Sequence, residues 1–305
     1  EPIAVGFTLK NQLFANTLRQ ISQEGITSFY QGPIALRLLK ALENTSALPA
    51  LMTTEDLAGY RTILRPPVCA PYRNYSVCGM GPPSSGALTV GQILALVERF
   101  DLPRLGPSPQ SIHLILEASR LAFADRARYM ADIDFVPVPV VGLLDPGYLS
   151  ERSRMIHVDS SIGKASAGIP PGVLSANATV YQSEPAGTSH LSIVDALGNI
   201  VSMTTTIESG FGSRLMTDGF LLNNELTDFS FIKEREGLPV ANRVEGGKRP
   251  RSSMAPTIVF DSHGEPILVT GSPGGSRIIC YVAQSLVGVL DWGMSPQQAV
   301  SMPHF

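Results

Sequence analysis

Gly187 and Thr188 have the makings of a self-cleaving site. Glu184-Pro185-Ala186-Gly187 is a breaker-rich lead that stops at Thr188, the first residue of a strand-like run. Breaking the Gly187–Thr188 bond would give Thr188 a free α-amine beside its own hydroxyl. Such an amine titrates near about pH 8, so part of it is neutral at physiological pH and can take the proton from Oγ. Thr188 would then be the nucleophile and the carrier of its own base. Position alone leaves a plainer reading open, in which Thr188 only begins a strand.

Gly274-Gly275 lies between a strand end and a helix start. Two neighbouring backbone N–H groups there could point at one spot, as an oxyanion requires, although such a pair is also an ordinary turn. His190 shares a strand face with Thr188, but the free amine makes it unnecessary as a base. We read it as a buried hydrogen-bonding residue. Asp132 and Asp134 are two carboxylates without a third ligand, better read as a turn than as a metal site.

The elements that would hold these residues follow from periodicity and punctuation. Residues 188–194 and 200–207, joined by Ala196-Leu197-Gly198-Asn199, form a hairpin. Helical spacing covers residues 11–21, 26–42, 87–100, 113–130, 278–290 and 295–302, with Thr53 or Thr54 capping a further helix. Strands are expected at 62–64, 76–79, 219–223, 257–260 and 266–270. Gly81-Pro82-Pro83-Ser84-Ser85-Gly86 is a loop, read as structural more than ligand-binding, and Asp125 and Arg126 suit pairing or capping more than catalysis. Residues 160–185, rich in Ser, Ala, Gly and Pro, look like an exposed, mobile linker.

The 305 residues can bury a sizeable core, and 44% hydrophobic with 16% charged residues is a globular composition. A net charge of −3 gives no reason to expect nucleic acid as partner. No apolar run reaches the roughly 20 residues that span a bilayer. The chain opens at Glu1-Pro2 without an initiator methionine and reads as an internal piece of a longer protein. A turn at Arg73-Asn74 would set Cys69 opposite Cys78, which permits a disulfide and equally permits two buried thiols.

Several motifs in order resemble the γ-glutamyltransferase (γ-glutamyltranspeptidase) family. They are Thr-Ser-His-x-Ser-x-Val-Asp from Thr188, Gly198-Asn199, Phe211-Gly212-Ser213, Leu222-Asn223-Asn224 and Asp228-Phe229-Ser230. Arg249-Pro250-Arg251-Ser252-Ser253-Met254-Ala255-Pro256-Thr257 and Gly271-Ser272-Pro273-Gly274-Gly275-Ser276-Arg277 complete the set, and the likeness runs over essentially the whole chain. The resemblance implies an α/β (α+β) fold, the four-layer αββα sandwich of the N-terminal-nucleophile hydrolases. It implies a precursor cut between Gly187 and Thr188 into a large-subunit part (1–187, with 160–187 a linker) and a small-subunit part (188–305) sharing one core.

The resemblance also assigns roles. Thr188 is the nucleophile, Thr206 orients it, and Gly274 and Gly275 form the oxyanion hole. Glu225 and Asp228 accept from a substrate ammonium, as Glu208 can, standing where many relatives carry asparagine. Ser252 and Ser253 donate to a carboxylate, while the family's carboxylate-binding arginine lies outside these residues. The implied substrates are a glutathione-like γ-glutamyl compound and an amine or water acceptor, with no cofactor and no metal. A periplasmic or secreted location is implied, with a cephalosporin- or polyglutamate-type acylase, or a non-catalytic homologue, as alternatives.

Overall fold

The computed structural model describes residues 4–43, 51–174, 176–181 and 187–305. These fall into two compact units: Glu1–Leu64 with Ser209–Asn224, and Arg65–Glu208 with Glu225–Phe305. The division does not fall at residue 187, and the second unit draws on residues from both sides of it.

The first unit is helical with one short hairpin. Asn11 caps the Gln12–Glu24 helix by accepting from the Phe14 N–H. The single helix expected over 26–42 is two, Thr27–Tyr30 and Pro33–Glu43. Proline has no N–H to give to a preceding turn but suits a first helical turn, so Pro33 starts a helix and does not continue one. Thr53 caps Thr54–Gly59 in a reciprocal pair with Asp56. The strand expected at 219–223 shrinks to Phe220–Leu221, paired with Met216–Thr217. The Phe220 ring sits 6.2 Å from Phe14 and 6.4 Å from Phe29.

The second unit is built around the Gly86–Val97 helix, in which every residue but Ala95 is buried. A helix buried all round needs neighbours all round. It has them in the Pro67–Tyr72 and Tyr75–Met80 strands and in the Pro109–Tyr129, Pro146–Ser153 and Ile278–Leu290 helices. Val90, Ile93, Leu94, Leu121, Val259, Val282 and Leu286 meet there in one core. The four-stranded antiparallel sheet runs Pro67–Tyr72, Tyr75–Met80, Thr257–Phe260, Pro266–Thr270.

The strand expected at 62–64 is absent, and pairing starts at Pro67. Pro67 and Pro71 are tolerated because this strand is the sheet edge, where a missing N–H costs no ladder bond. Cys69 and Cys78 stand directly opposite across the first hairpin and are joined by a disulfide.

The Thr188–Val194 and Ile200–Thr206 hairpin pairs in full register, Thr188 opposite Thr206. Asp195 holds its turn by accepting from Leu197 N and Asn199 N, both at 2.8 Å. Ser202 Oγ donates to the Thr270 carbonyl at 3.1 Å, tying the hairpin to the end of the last sheet strand. The stretch expected to be an exposed linker is exposed at many of its described residues and docked at several points. Asn177, Ala178 and Val180 are buried, Ile162 N donates to Glu117 Oε2, and Gly168 N donates to Asp125 Oδ1. Small residues pack by backbone hydrogen bonds where large apolar ones would pack by area, and composition carries no signal of such bonds. Residues 182–186 lie outside the described residues.

Candidate functional site

Thr188 heads its strand, and the full register places it beside Thr206. Thr188 Oγ donates to Thr206 Oγ at 3.2 Å. Thr206 Oγ donates to the Gly187 carbonyl at 3.2 Å and accepts the Glu208 N–H at 2.8 Å. A hydroxyl has one hydrogen to give. That of Thr206 goes to the carbonyl of the Gly187–Thr188 bond, and its oxygen faces two donors. The arrangement therefore polarises that carbonyl and holds the Thr188 hydroxyl beside it.

Glu208 adopts a left-handed backbone, φ 74°, uncommon for a residue with a side chain. This bend turns its N–H back onto Thr206, and the residue is 4% exposed. Thr188, Thr206, Glu208, Glu225, Asp228, Ser252, Ser253 and Gly275 line one cleft, joined by Met254 and Ile278. Eight of the expected residues thus come together. Gly187 contributes its carbonyl at the edge of this group, through Thr206. Gly274 is next to Gly275 but does not line the cleft. Both glycines have positive φ, 141° and 58°, in the turn before the Ile278–Leu290 helix. Three carboxylates and two serine hydroxyls in one cleft suit a ligand carrying both a cationic and an anionic group.

What positions the serines is the Pro82-Pro83-Ser84-Ser85-Gly86 loop. Ser252 N donates to Pro83 O at 3.1 Å, and Ser85 N and Oγ both donate to Ser252 O, at 2.8 and 2.7 Å. Ser84 Oγ donates to Met254 O at 2.6 Å. The loop is structural, as expected, and what it supports is the cleft wall. Gly86 fits because it has no side chain: a Cβ there would lie 2.4 Å from Met254 O and 2.7 Å from Ala255 Cα. Gly86→Ala should displace this wall and cost about 1–3 kcal/mol of stability in a denaturant titration.

The sequence predicts pairing or capping for Asp125 and Arg126. Asp125 does pair, with Arg152 at 3.4 Å, and accepts from Tyr148 Oη and Gln92 Nε2. Arg126 reaches the cleft wall. Its Nε donates to Ser85 Oγ at 2.8 Å and its Nη2 donates to Ser253 Oγ. Sequence reasoning missed this contact, along with Met254 and Ile278. The one signal was a cation in a helix stretch otherwise built for burial, since Ala122, Ala124, Asp125 and Ala127 are all buried. Asp132 and Asp134 share Arg65, at 3.5 and 2.6 Å, and Asp132 also accepts from Arg249 N.

His190 is half-buried, with Nδ1 2.9 Å from Thr204 Oγ and Nε2 3.1 Å from Ser192 Oγ. Burial lowers its pKa, so folding favours the neutral ring. That contribution to stability is present above the ordinary value near about 6.5 and is lost as pH falls through the lowered value. His190→Gln should therefore flatten the fall in unfolding midpoint between about pH 7 and 5, measured by circular dichroism.

A family model described as gamma-glutamyltranspeptidase matches residues 1–305. The glutathione hydrolase proenzyme of Escherichia coli strain K12 is 38% identical over 100% of this chain and 52% of its own length. The glutathione hydrolase proenzyme of Bacillus subtilis strain 168 is 37% identical over 99% of this chain and 52% of its own length. The chain thus spans about half the length of these relatives. The crystal structure of a cephalosporin acylase from Bacillus halodurans superposes with a TM-score of 0.83 at 26% identity, over 99% of this chain and 51% of that one. Together with the mixed helices and sheets, this likeness bears out the expected N-terminal-nucleophile hydrolase fold.

Proposed function

The chain belongs to the gamma-glutamyltranspeptidase family, and from that premise we propose that it forms the core of a self-processing γ-glutamyl transferase and hydrolase. The observation that carries this reading is the hydroxyl chain from Thr188 through Thr206 to the Gly187 carbonyl. In maturation Thr188 Oγ attacks the Gly187 carbonyl carbon through a five-membered ring. The C–N bond breaks, the acyl group moves to oxygen, and the nitrogen becomes the α-amine. Water then cleaves the ester, and residue 187 leaves as a carboxylate.

The same hydroxyl serves turnover. The Thr188 amine takes the Oγ proton as Oγ attacks the γ-carbonyl of a glutathione-like donor, and returns it to the departing amine. The γ-glutamyl ester passes to water or to an acceptor amine. Backbone N–H groups at Gly274 and Gly275 hold the oxyanion, a type of contact worth about 3–4 kcal/mol per donor. Asp228, Glu225 and Glu208 receive the donor's ammonium, and Ser252 and Ser253 its carboxylate. Large and small subunits would come from one precursor, residues 1–187 and 188–305 being their parts within this chain. Export to a periplasmic or extracellular space accords with the Cys69–Cys78 bond, since such bonds persist in oxidising compartments. Among the described residues no helix is long and apolar enough to cross a membrane.

Intact mass and N-terminal sequencing of the purified full-length protein test the reading. Two chains are expected, the smaller beginning Thr-Ser-His-Leu, with release of 4-nitroaniline from a γ-glutamyl anilide. A single uncut chain that stays uncut would sink it. Likeness to a cephalosporin acylase favours a second reading, and preference for a glutaryl anilide over the γ-glutamyl one would select it.

A further inference from the structure

We infer that Arg126 is a positioning residue that makes the cleft selective for donors bearing a carboxylate, acting through Ser253. The inference rests on the proposed reading of Ser252 and Ser253 as carboxylate donors. Arg126 sits in the Pro109–Tyr129 helix, 4% exposed, with Ser253 equally buried. Its guanidinium holds two hydroxyls: Nε donates to Ser85 Oγ at 2.8 Å, and Nη2 to Ser253 Oγ. Ser85 Oγ in turn donates to Ser252 O at 2.7 Å. One cation thus fixes both the backbone and the side chain of the serine pair.

The consequence follows from what a guanidinium and a hydroxyl can do. Arginine only donates, so Ser253 Oγ can face it only as an acceptor. The hydroxyl hydrogen of Ser253 must then point elsewhere, and Ser253 lines the cleft with Thr188. A hydroxyl whose oxygen already receives a charged donor is polarised into a stronger donor itself. A carboxylate at Ser253 Oγ would meet that hydrogen first and the positive charge behind it, and the burial of both residues weakens screening by water. Arg126 would therefore favour an anionic group without touching it.

Three 4-nitroanilide donors separate this role from mere support of the fold. The γ-glutamyl donor carries ammonium and carboxylate, the glutaryl donor the carboxylate alone, and the 4-aminobutanoyl donor the ammonium alone. Full-length, self-cleaved Arg126→Gln is expected to raise KM for the two carboxylate donors by about 10- to 100-fold, the worth of a charged hydrogen bond. Its kcat should change by less than about threefold. The kcat/KM ratio of γ-glutamyl to 4-aminobutanoyl donor should fall by at least about tenfold.

Should Arg126→Gln fail to fold or self-cleave, Ser85→Ala removes one of the acceptors that aim the guanidinium. It should shift the same ratio in the same direction by about three- to tenfold. Equal losses on all three donors, or no loss, would overturn the inference and leave the proposed function standing. A wild-type protein without preference for either carboxylate donor over the 4-aminobutanoyl one would overturn both.

Discussion

Thr188→Ala is expected to yield one uncut chain and no detectable turnover. Every step of the proposed chemistry passes through the Thr188 hydroxyl, so no other group can share the loss. Removing a covalent nucleophile lowers kcat on the order of 10⁴-fold or more, because binding and oxyanion contacts alone remain. Thr188→Ser keeps the oxygen and should still cut, more slowly, since the methyl group that steadies the rotamer is gone. Thr206 supplies a sharper control. Thr206→Val preserves shape but deletes the hydrogen given to Gly187 O and the oxygen facing Thr188 and Glu208 N. It should slow self-cleavage by about 10²-fold, and cost about 1–3 kcal/mol of unfolding free energy for the groups that lose the Thr206 hydroxyl. Intact-mass time courses measure both. Cleavage of Thr188→Ala at wild-type speed would remove Thr188 from the mechanism.

Asp228→Asn should raise KM for a γ-glutamyl donor by about 10²- to 10³-fold with a smaller change in kcat. Asp228 is 7% exposed at the cleft, where a carboxylate facing an ammonium is worth far more than at the surface. Asparagine keeps the size and the backbone carbonyl that accepts from Asn242 Nδ2 at 2.7 Å, so the Glu225–Asp228 turn should survive. A glutaryl donor lacks the ammonium and tests the assignment. The variant should lose little against it, so the preference for γ-glutamyl over glutaryl should collapse. Equal losses on both donors would place Asp228 in the framework and not at the ammonium.

The part of the site that was legible in the sequence is the part built from local rules. The Thr188 hairpin follows from two β-rich runs and a short Gly-Asn turn, and its register brings Thr188 and Thr206 together once the turn is fixed. The helices at 12–24, 86–97, 109–129 and 278–290 were clear because their apolar residues recur or run unbroken. Glu208, Glu225, Asp228 and the serines were reachable only through motif resemblance, since single acidic residues in loops carry no periodic signal.

What stayed hidden depends on distant partners. Pro67 and Pro71 argue against a strand until the strand is known to be an edge. Arg126 looks like any helix cation until Ser85 and Ser253, 41 and 127 positions away, arrive beside it. The anchoring of Ile162 and Gly168 likewise rests on acceptors, Glu117 and Asp125, supplied by another element.

The hydrogen bond from Thr206 to the Gly187 carbonyl also bears on the order of the maturation reaction. The proposed nucleophile, orienting hydroxyl and target carbonyl, Thr188, Thr206 and Gly187, all belong to one compact unit of one chain. On the proposed reading, no second molecule has to be met before the bond breaks. Processing is then first order: its half-time stays constant when the precursor is diluted a thousandfold, and an already matured copy does not hasten a fresh one. Each molecule keeps its own clock, started when folding brings Thr206 against the bond to be cut.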